Sequence, residues 1–428
     1  MKNKSSILFS IILLTVLSGN EKTWSQSGNW TFFRGSNLNG IAVAEKIPLI
    51  WNDSTTKWKT GIHDRGCSSP VVFGNQIWIT TAKPDGKEVY AVAVDFNTGK
   101  IIYDISVFTP VVVDGKHSLN SYASPTPSIE KGFVYVHYGN TGTACINTTN
   151  GSIVWKVADL KCNYVQGPAS SPIIYKDLII LHYEGVDIRY IVALNKKDGK
   201  LVWRTDRPVE PYIPLAEIGR KAYITPIIIN VKGHDLLISN GSAICQALDP
   251  ATGKEIWRVV DGAESTISMP FEEKGVVFWY TGFKVNTDGT KYTDLLAVNP
   301  DGTGDITGTN VIWKKRDALS QNQMLSPVVK DGLIYTVNTR NILMCIDALT
   351  GEEVWSTHVT ANYNSSPVYN NGNIWLFSVR GEAMVIKAGR QYEVLARSQM
   401  DSGIWATPAF LRNSVILRTD KFLYRIGE

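Results

Sequence analysis

The chain has 428 residues, 44% hydrophobic, 10% aromatic and 19% charged, a composition that excludes disordered and collagen-like proteins. Lys and Arg number 43 against 39 Asp and Glu, a net charge of +4, and no basic run is dense enough to follow a phosphate backbone. Nucleic acid is therefore not an expected partner.

The first element is an export signal. Lys2 and Lys4 precede an apolar run from Ile7 to Leu17, and a polar stretch then leads to the small residues Thr23 and Ser25. Cleavage is expected after Ser25, with Ser18 as the competing position. The run is too short to span a bilayer, and no later segment is long and apolar enough for a transmembrane helix. The first cysteine is Cys67, so no lipid anchor is expected at the cut. The expected organisation is a signal peptide over residues 1–25 and one domain over residues 26–428, periplasmic or secreted. The five cysteines are too few and scattered for a disulfide framework. Cys145 and Cys345 share a repeat column with Ala193 and Ala247 and read as small buried residues. A Cys67–Cys162 pairing across loops is left open.

From residue 69 onward the chain repeats. Ser69-Pro70 opens an apolar run, a turn at Gly74-Asn75 and a second strand, and the pattern recurs at Pro125, Pro172, Pro226, Pro270, Pro327, Pro367 and Pro408. The mean spacing of about 48 residues suits a four-stranded antiparallel blade. Between these elements lies a second motif: Asp249, Thr252, Gly253, Trp257, and again Asp347, Thr350, Gly351, Trp355. Weaker copies run through Asp95, Gly99 and Tyr103, Asn147, Gly151 and Trp155, and Asn195, Gly199 and Trp203. Asp or Asn four residues before Gly is tight-turn chemistry, and the aromatic then falls on the outermost strand, where it can dock on the next blade. The last unit stops one strand short at Glu428. Thr56 to Thr60, carrying Trp58, supplies the missing strand. The fold class is all-β: an eight-bladed β-propeller closed by an N-terminal strand.

The motif Ala-x-Asp-x-x-Thr-Gly-x-x-x-Trp resembles the tryptophan-docking motif of quinoprotein-like propellers, also called pyrroloquinoline-quinone repeats. The stretch Trp30 to Gly35, with Asn39-Gly40 and Pro48 to Trp51, is similar to the opening of exported bacterial propellers associated with polysaccharide degradation. The resemblance covers nearly the whole mature chain. The expected function is that of a binding or scaffolding protein linked to polysaccharide utilisation, since a rigid ring with a varied rim suffices for it; the alternatives that the resemblance implies are a quinone-dependent oxidoreductase of sugars or alcohols and, second, an outer-membrane assembly factor. In the dehydrogenases, it further implies, pyrroloquinoline quinone lies between a Trp floor and a disulfide of adjacent cysteines, with Ca²⁺ on acidic and amide oxygens and an Asp base. No two cysteines are adjacent here; Trp405 and Asp401 are the residues that would imitate floor and base.

No phosphate loop, zinc-helix or serine-elbow motif occurs, and no metal ligand set is expected. Asp301 to Asp305 alternates acidic residues as a calcium loop does, but lacks the loop's Gly and final Glu, so it reads as a long hairpin turn in blade five. The informative positions precede each strand-opening proline, because in a propeller these connections converge on the axis. Three residues before the proline stand Cys67, Tyr122, Ala169, Tyr223, Ile267, Met324, Asn364 and Trp405, and immediately before it a hydroxyl in every unit but the fifth, which has Met269. The hydroxyls are expected to satisfy backbone groups. The candidate ligand-binding rim is Arg65, Tyr122, Tyr164, Gln166, Tyr223, Glu264, Gln323, Tyr363 and Trp405, with Lys221 nearby. Aromatic faces mixed with charges and amides suit a glycan or a protein ligand.

Overall fold

The computed structural model describes residues 28–317 and 324–427; the expected signal peptide and Gln323 lie outside them. Eight antiparallel blades stand around one axis. Their innermost strands are Val71–Phe73, Ser128–Glu130, Ile173–Tyr175, Ile227–Val231, Phe271–Glu273, Val328–Lys330, Val368–Asn370 and Ala409–Leu411. Blade eight takes its outermost strand from Thr56–Gly61, with Trp58 opposite Arg425 and Thr60 opposite Leu423, so the ring closes as the sequence predicts.

The repeat motif acts at the junctions between blades. Trp58, Trp155, Trp203 and Trp313 each donate the indole N–H to a turn carbonyl of the following blade, at 2.9 to 3.2 Å. The turn glycine lies under the ring. Gly253 has φ +73° and a Cβ there would stand 2.5 Å from Trp203, so this position needs Gly both for its backbone and for the close approach. On the third strands, Cys145, Ala193, Ala247 and Cys345 face the docking aromatics Trp155, Trp203, Trp257 and Trp355 and are buried, as expected of small packing residues. All five cysteines are free, so the Cys67–Cys162 bridge is not formed. In blade seven Ala396 holds the docking position, and Trp51 of the N-terminal segment fills the space, stacked 5.3 Å from Trp375.

Asp301 to Asp305 belongs to a long hairpin connection of blade five, but it does more than turn. Gly304–Asp305 pairs in parallel with Trp257–Arg258 and extends blade four. Asp305 accepts the Thr307 N–H at 3.0 Å, a local turn bond.

The N-terminal segment crosses the inner strands on one face. Trp30 bridges Val72, Thr31 accepts the Ile129 N–H, Leu38 packs among Ile173 and Ile227, and Ile41–Ala42 pairs with Tyr369–Asn370. From this strap Arg34 enters the interior. It is fully buried and donates to the Pro327 carbonyl at 2.6 Å, while its Nε and Nη1 have no hydrogen-bond partner among the described residues. Burial lowers its pKa to about 9, which still leaves it a cation at neutral pH.

His137 makes stability depend on acidity. Its ring stands edge-on to Tyr183 and its Nδ1 lies 2.8 Å from the Thr143 hydroxyl. Burial pushes its pKa down to about 3, so below the ordinary value the unfolded chain takes up a proton that the folded chain refuses. Stability is full above about pH 6.5 and falls as pH drops towards 3, by about 2 kcal/mol at pH 5. His182, also buried, shifts in the same direction. Urea unfolding at pH 7 and pH 5 checks this: His137→Gln is expected to lose less on acidification than the wild type, and equal losses would refute the assignment.

Candidate functional site

The inner strands and the connections that feed them enclose an axial cavity of about 350 Å³. Two residues from every blade line it. One column is Ser69, Thr126, Ser171, Thr225, Met269, Ser326, Ser366 and Thr407; the other, two residues earlier, is Cys67, Ser124, Ala169, Tyr223, Ile267, Met324, Asn364 and Trp405. This corrects the sequence register in blade two. The strand there begins at Ser128, so Pro127 and not Pro125 is its opening proline, and Ser124 replaces Tyr122 on the axis. Two prolines two residues apart fit the same pattern, and only strand pairing separates them.

The hydroxyl column forms a ring. The backbone N–H of Ser69 donates to the Thr126 hydroxyl, Thr126 to Ser171, and Ser171 to Thr225; after a break, Met269 donates to Ser326, Ser326 to Ser366, Ser366 to Thr407 and Thr407 back to Ser69, all at 2.9 to 3.1 Å. The expected backbone role is thus met, but across blades. Each of the seven hydroxyls acts as acceptor in these bonds, which leaves its own proton for a further acceptor in the cavity.

Phe33 lines the cavity from the N-terminal strap, which crosses the inner strands three residues beyond the ring at Val72 and Ile129. Opposite it, His117, Leu119 and Asn120 come from the connection between blades one and two. Arg65 fastens this connection by donating to the carbonyls of Ser118 and Leu119 at 3.3 and 3.4 Å, and its guanidinium lies 5.9 Å from the Trp405 ring centre.

Of the candidate rim residues, Gln166, Tyr223 and Trp405 line the cavity. Arg65 supports it from behind. Tyr164 is buried, stacked on Tyr183 and Tyr223, and its carbonyl accepts the Tyr223 hydroxyl at 2.5 Å. Tyr363 donates to Glu382 at 2.8 Å and lines a side cleft with Asn338 and Asn362, which meets the axial cavity at Leu119, Met324, Asn364 and Trp405. Tyr122 donates to the Asp114 carbonyl and lies off the axis. Glu264 packs against the position of Gly219, bonded through its backbone to Phe283, and does not line the cavity. Lys221 likewise lies outside, its amine turned to the Ile218 carbonyl. The strap residue Phe33 and the loop residues His117, Leu119 and Asn120 escaped the sequence reading, because they belong to no repeat column.

The lining does not fit pyrroloquinoline quinone with Ca²⁺. Its carboxylates need cations and the metal needs acidic oxygens, yet among the described residues no Lys, Arg, Asp or Glu lines the cavity. Among the described residues no group of His, Cys, Asp or Glu is placed to hold a metal. Asp401, the candidate base, pairs with Lys59 at 2.9 Å away from the lining.

Comparisons with known proteins place this fold among relatives of different activity. The chain is 22% identical over 347 residues to the outer membrane protein assembly factor BamB of Yersinia pestis, covering 76% of each chain. It is 19% identical over 279 residues to tetrathionate hydrolase of Acidithiobacillus ferrooxidans, covering 58% of this chain and only 50% of that one. Solved structures with the same fold include BamB from Moraxella catarrhalis, with TM-score 0.60, 11% identity and coverage of 87% of this chain and 99% of that one. Quinohemoprotein alcohol dehydrogenase from Comamonas testosteroni superposes with TM-score 0.67 at 12% identity, covering 94% and 81%. At these identities the superpositions establish the fold alone. No helix among the described residues is long and apolar enough to cross a membrane. Residues 48–212 and 240–396 match the family described as outer membrane protein assembly factor BamB, and with its blade repeats and docking tryptophans the chain belongs to this pyrroloquinoline-quinone-repeat propeller family.

Proposed function

We propose that this protein is an exported binding propeller whose axial cavity holds the end of a neutral carbohydrate without transforming it. The observation that carries the reading is the ring of seven hydroxyls, each with a proton left for a ligand oxygen. Around it stand the side-chain amides of Gln166 and Asn364 and the rings of Tyr223 and Trp405, which suit the hydroxyls and faces of a sugar. Among the described residues no carboxylate pair lines the site to supply the acid and base of glycoside cleavage. Export rests on the charged and apolar start of the sequence.

Calorimetry with neutral mono- and oligosaccharides, guided by a glycan array, tests the reading. Trp405→Ala is expected to weaken binding at least about tenfold, the loss of roughly 1.4 kcal/mol of stacking. Unchanged affinity in this variant, or no sugar bound at millimolar concentration, would refute it. A second reading, docking of a protein partner in the manner suggested by the assembly-factor relatives, draws on apolar side chains standing out from two blade connections: Val111 and Val112 at 98% and 81% exposure, and Ile213 at 65%.

A further inference from the structure

The hydroxyl ring has one break, between blades four and five. There Met269 stands where every other blade has Ser or Thr, and the backbone N–H of Thr225, whose counterparts all donate across a junction, has no acceptor among the described residues. Thr225 lines the cavity and is only 4% exposed. Beside this free donor the wall is apolar, formed by Met269 and Ile267.

A buried donor left without a partner is unfavourable, and an apolar wall facing water gains nothing. A hydroxyl would answer the donor and ignore the wall. A hydrocarbon would cover the wall and leave the donor unmet. A carbonyl oxygen carried next to a methyl group satisfies both, with the oxygen on the Thr225 N–H and the methyl on Met269, whose flexible thioether adapts to small groups. On a neighbouring connection the Gln166 side-chain amide has no hydrogen-bond partner among the described residues and offers an oxygen to an amide N–H. Phe33 stands on the strap side, and a volume of about 350 Å³ takes the short end of a chain. A peptide end is charged, and among the described residues no Lys, Arg, Asp or Glu lines the cavity to neutralise it, whereas the end of a glycan is neutral.

We infer that the break in the ring is a subsite for the acetamido group of an N-acetylated sugar, formed by the Thr225 backbone N–H with Met269 and Ile267. This rests on the carbohydrate reading of the same cavity and narrows it to one class of sugar.

The test is calorimetry of the full mature chain with N-acetylglucosamine and with glucose, alongside hydrogen exchange of the peptide that contains Thr225. N-acetylglucosamine is expected to bind at least about tenfold more tightly than glucose and to slow exchange at Thr225. Met269→Ser restores the missing hydroxyl, and is expected to bring the affinity ratio to about one and to make the Thr225 amide slow without any sugar. Met269→Leu, with no oxygen to offer, keeps both the preference and the fast amide, and it guards against a Ser variant that merely folds poorly. Equal affinities in the wild type, or a preference that survives Met269→Ser, would overturn the subsite and leave the carbohydrate reading standing. Failure of both sugars to bind, together with failure of every neutral glycan on the array, would overturn both.

Discussion

Replacing Trp257 by Ala is expected to cost about 3–5 kcal/mol of stability, the range for emptying a fully buried Trp site. Trp257 is 0% exposed because two elements cover it: its own blade, where it stands opposite Ala247, and the parallel pair made with Gly304 by the blade-five connection. Its indole N–H has no hydrogen-bond partner among the described residues, so packing and not a polar bond carries the loss. The closing residue Trp58 is only partly buried and hangs on its bond to the Phe96 carbonyl, so Trp58→Ala should cost less, about 2 kcal/mol. Urea unfolding of both variants measures the difference. A smaller loss at Trp257 than at Trp58 would show that the added strand does not seal this junction.

Glu184→Leu is the second large effect. Glu184 ends the second strand of blade three, and its carboxylate lies 2.7 Å from Arg207 Nε, with both side chains fully buried. The Tyr212 hydroxyl and the Ser242 N–H donate to its other oxygen at 2.9 and 2.8 Å, while Arg207 reaches the Ser239 hydroxyl and Gln246 on blade four at 2.8 and 2.9 Å. The network pins blade three to blade four, at the junction before the break in the hydroxyl ring. Removing the carboxylate strands a buried guanidinium and is expected to cost about 3–5 kcal/mol, whereas removing both charges with Arg207→Met should restore part of the loss. A double-mutant cycle in urea checks both statements. Additive losses would mean that the two groups act independently despite their contact.

The residues that were readable in advance share a property. The blade repeat, the Asp-to-Gly turns, the docking tryptophans and the closing strand at Trp58 are written in patterns a few residues long, and turn chemistry and alternating burial act over that distance. The convergence of Cys67, Tyr223, Asn364 and Trp405 on the axis followed from the repeat register once the fold class was known. Blade two escaped that register because Pro125 and Pro127 are locally equivalent, and this put Tyr122 in the column position that Ser124 occupies in the cavity lining.

The remainder depends on contacts between parts of the chain with no shared pattern. Arg34 on the Pro327 carbonyl, Phe33 in the cavity lining, Arg65 beside Trp405 and the Glu184–Arg207 pair each join a segment to a distant one. Whether a charge is buried, and what then satisfies it, is set by the neighbours that packing brings, so Glu264 and Glu184 look alike in sequence although one lies at a surface loop and the other inside the protein. The absent hydroxyl at Met269 was visible from the repeat alone. That it leaves the Thr225 N–H free became visible only with the ring assembled, because the hydrogen bond it interrupts joins two different blades.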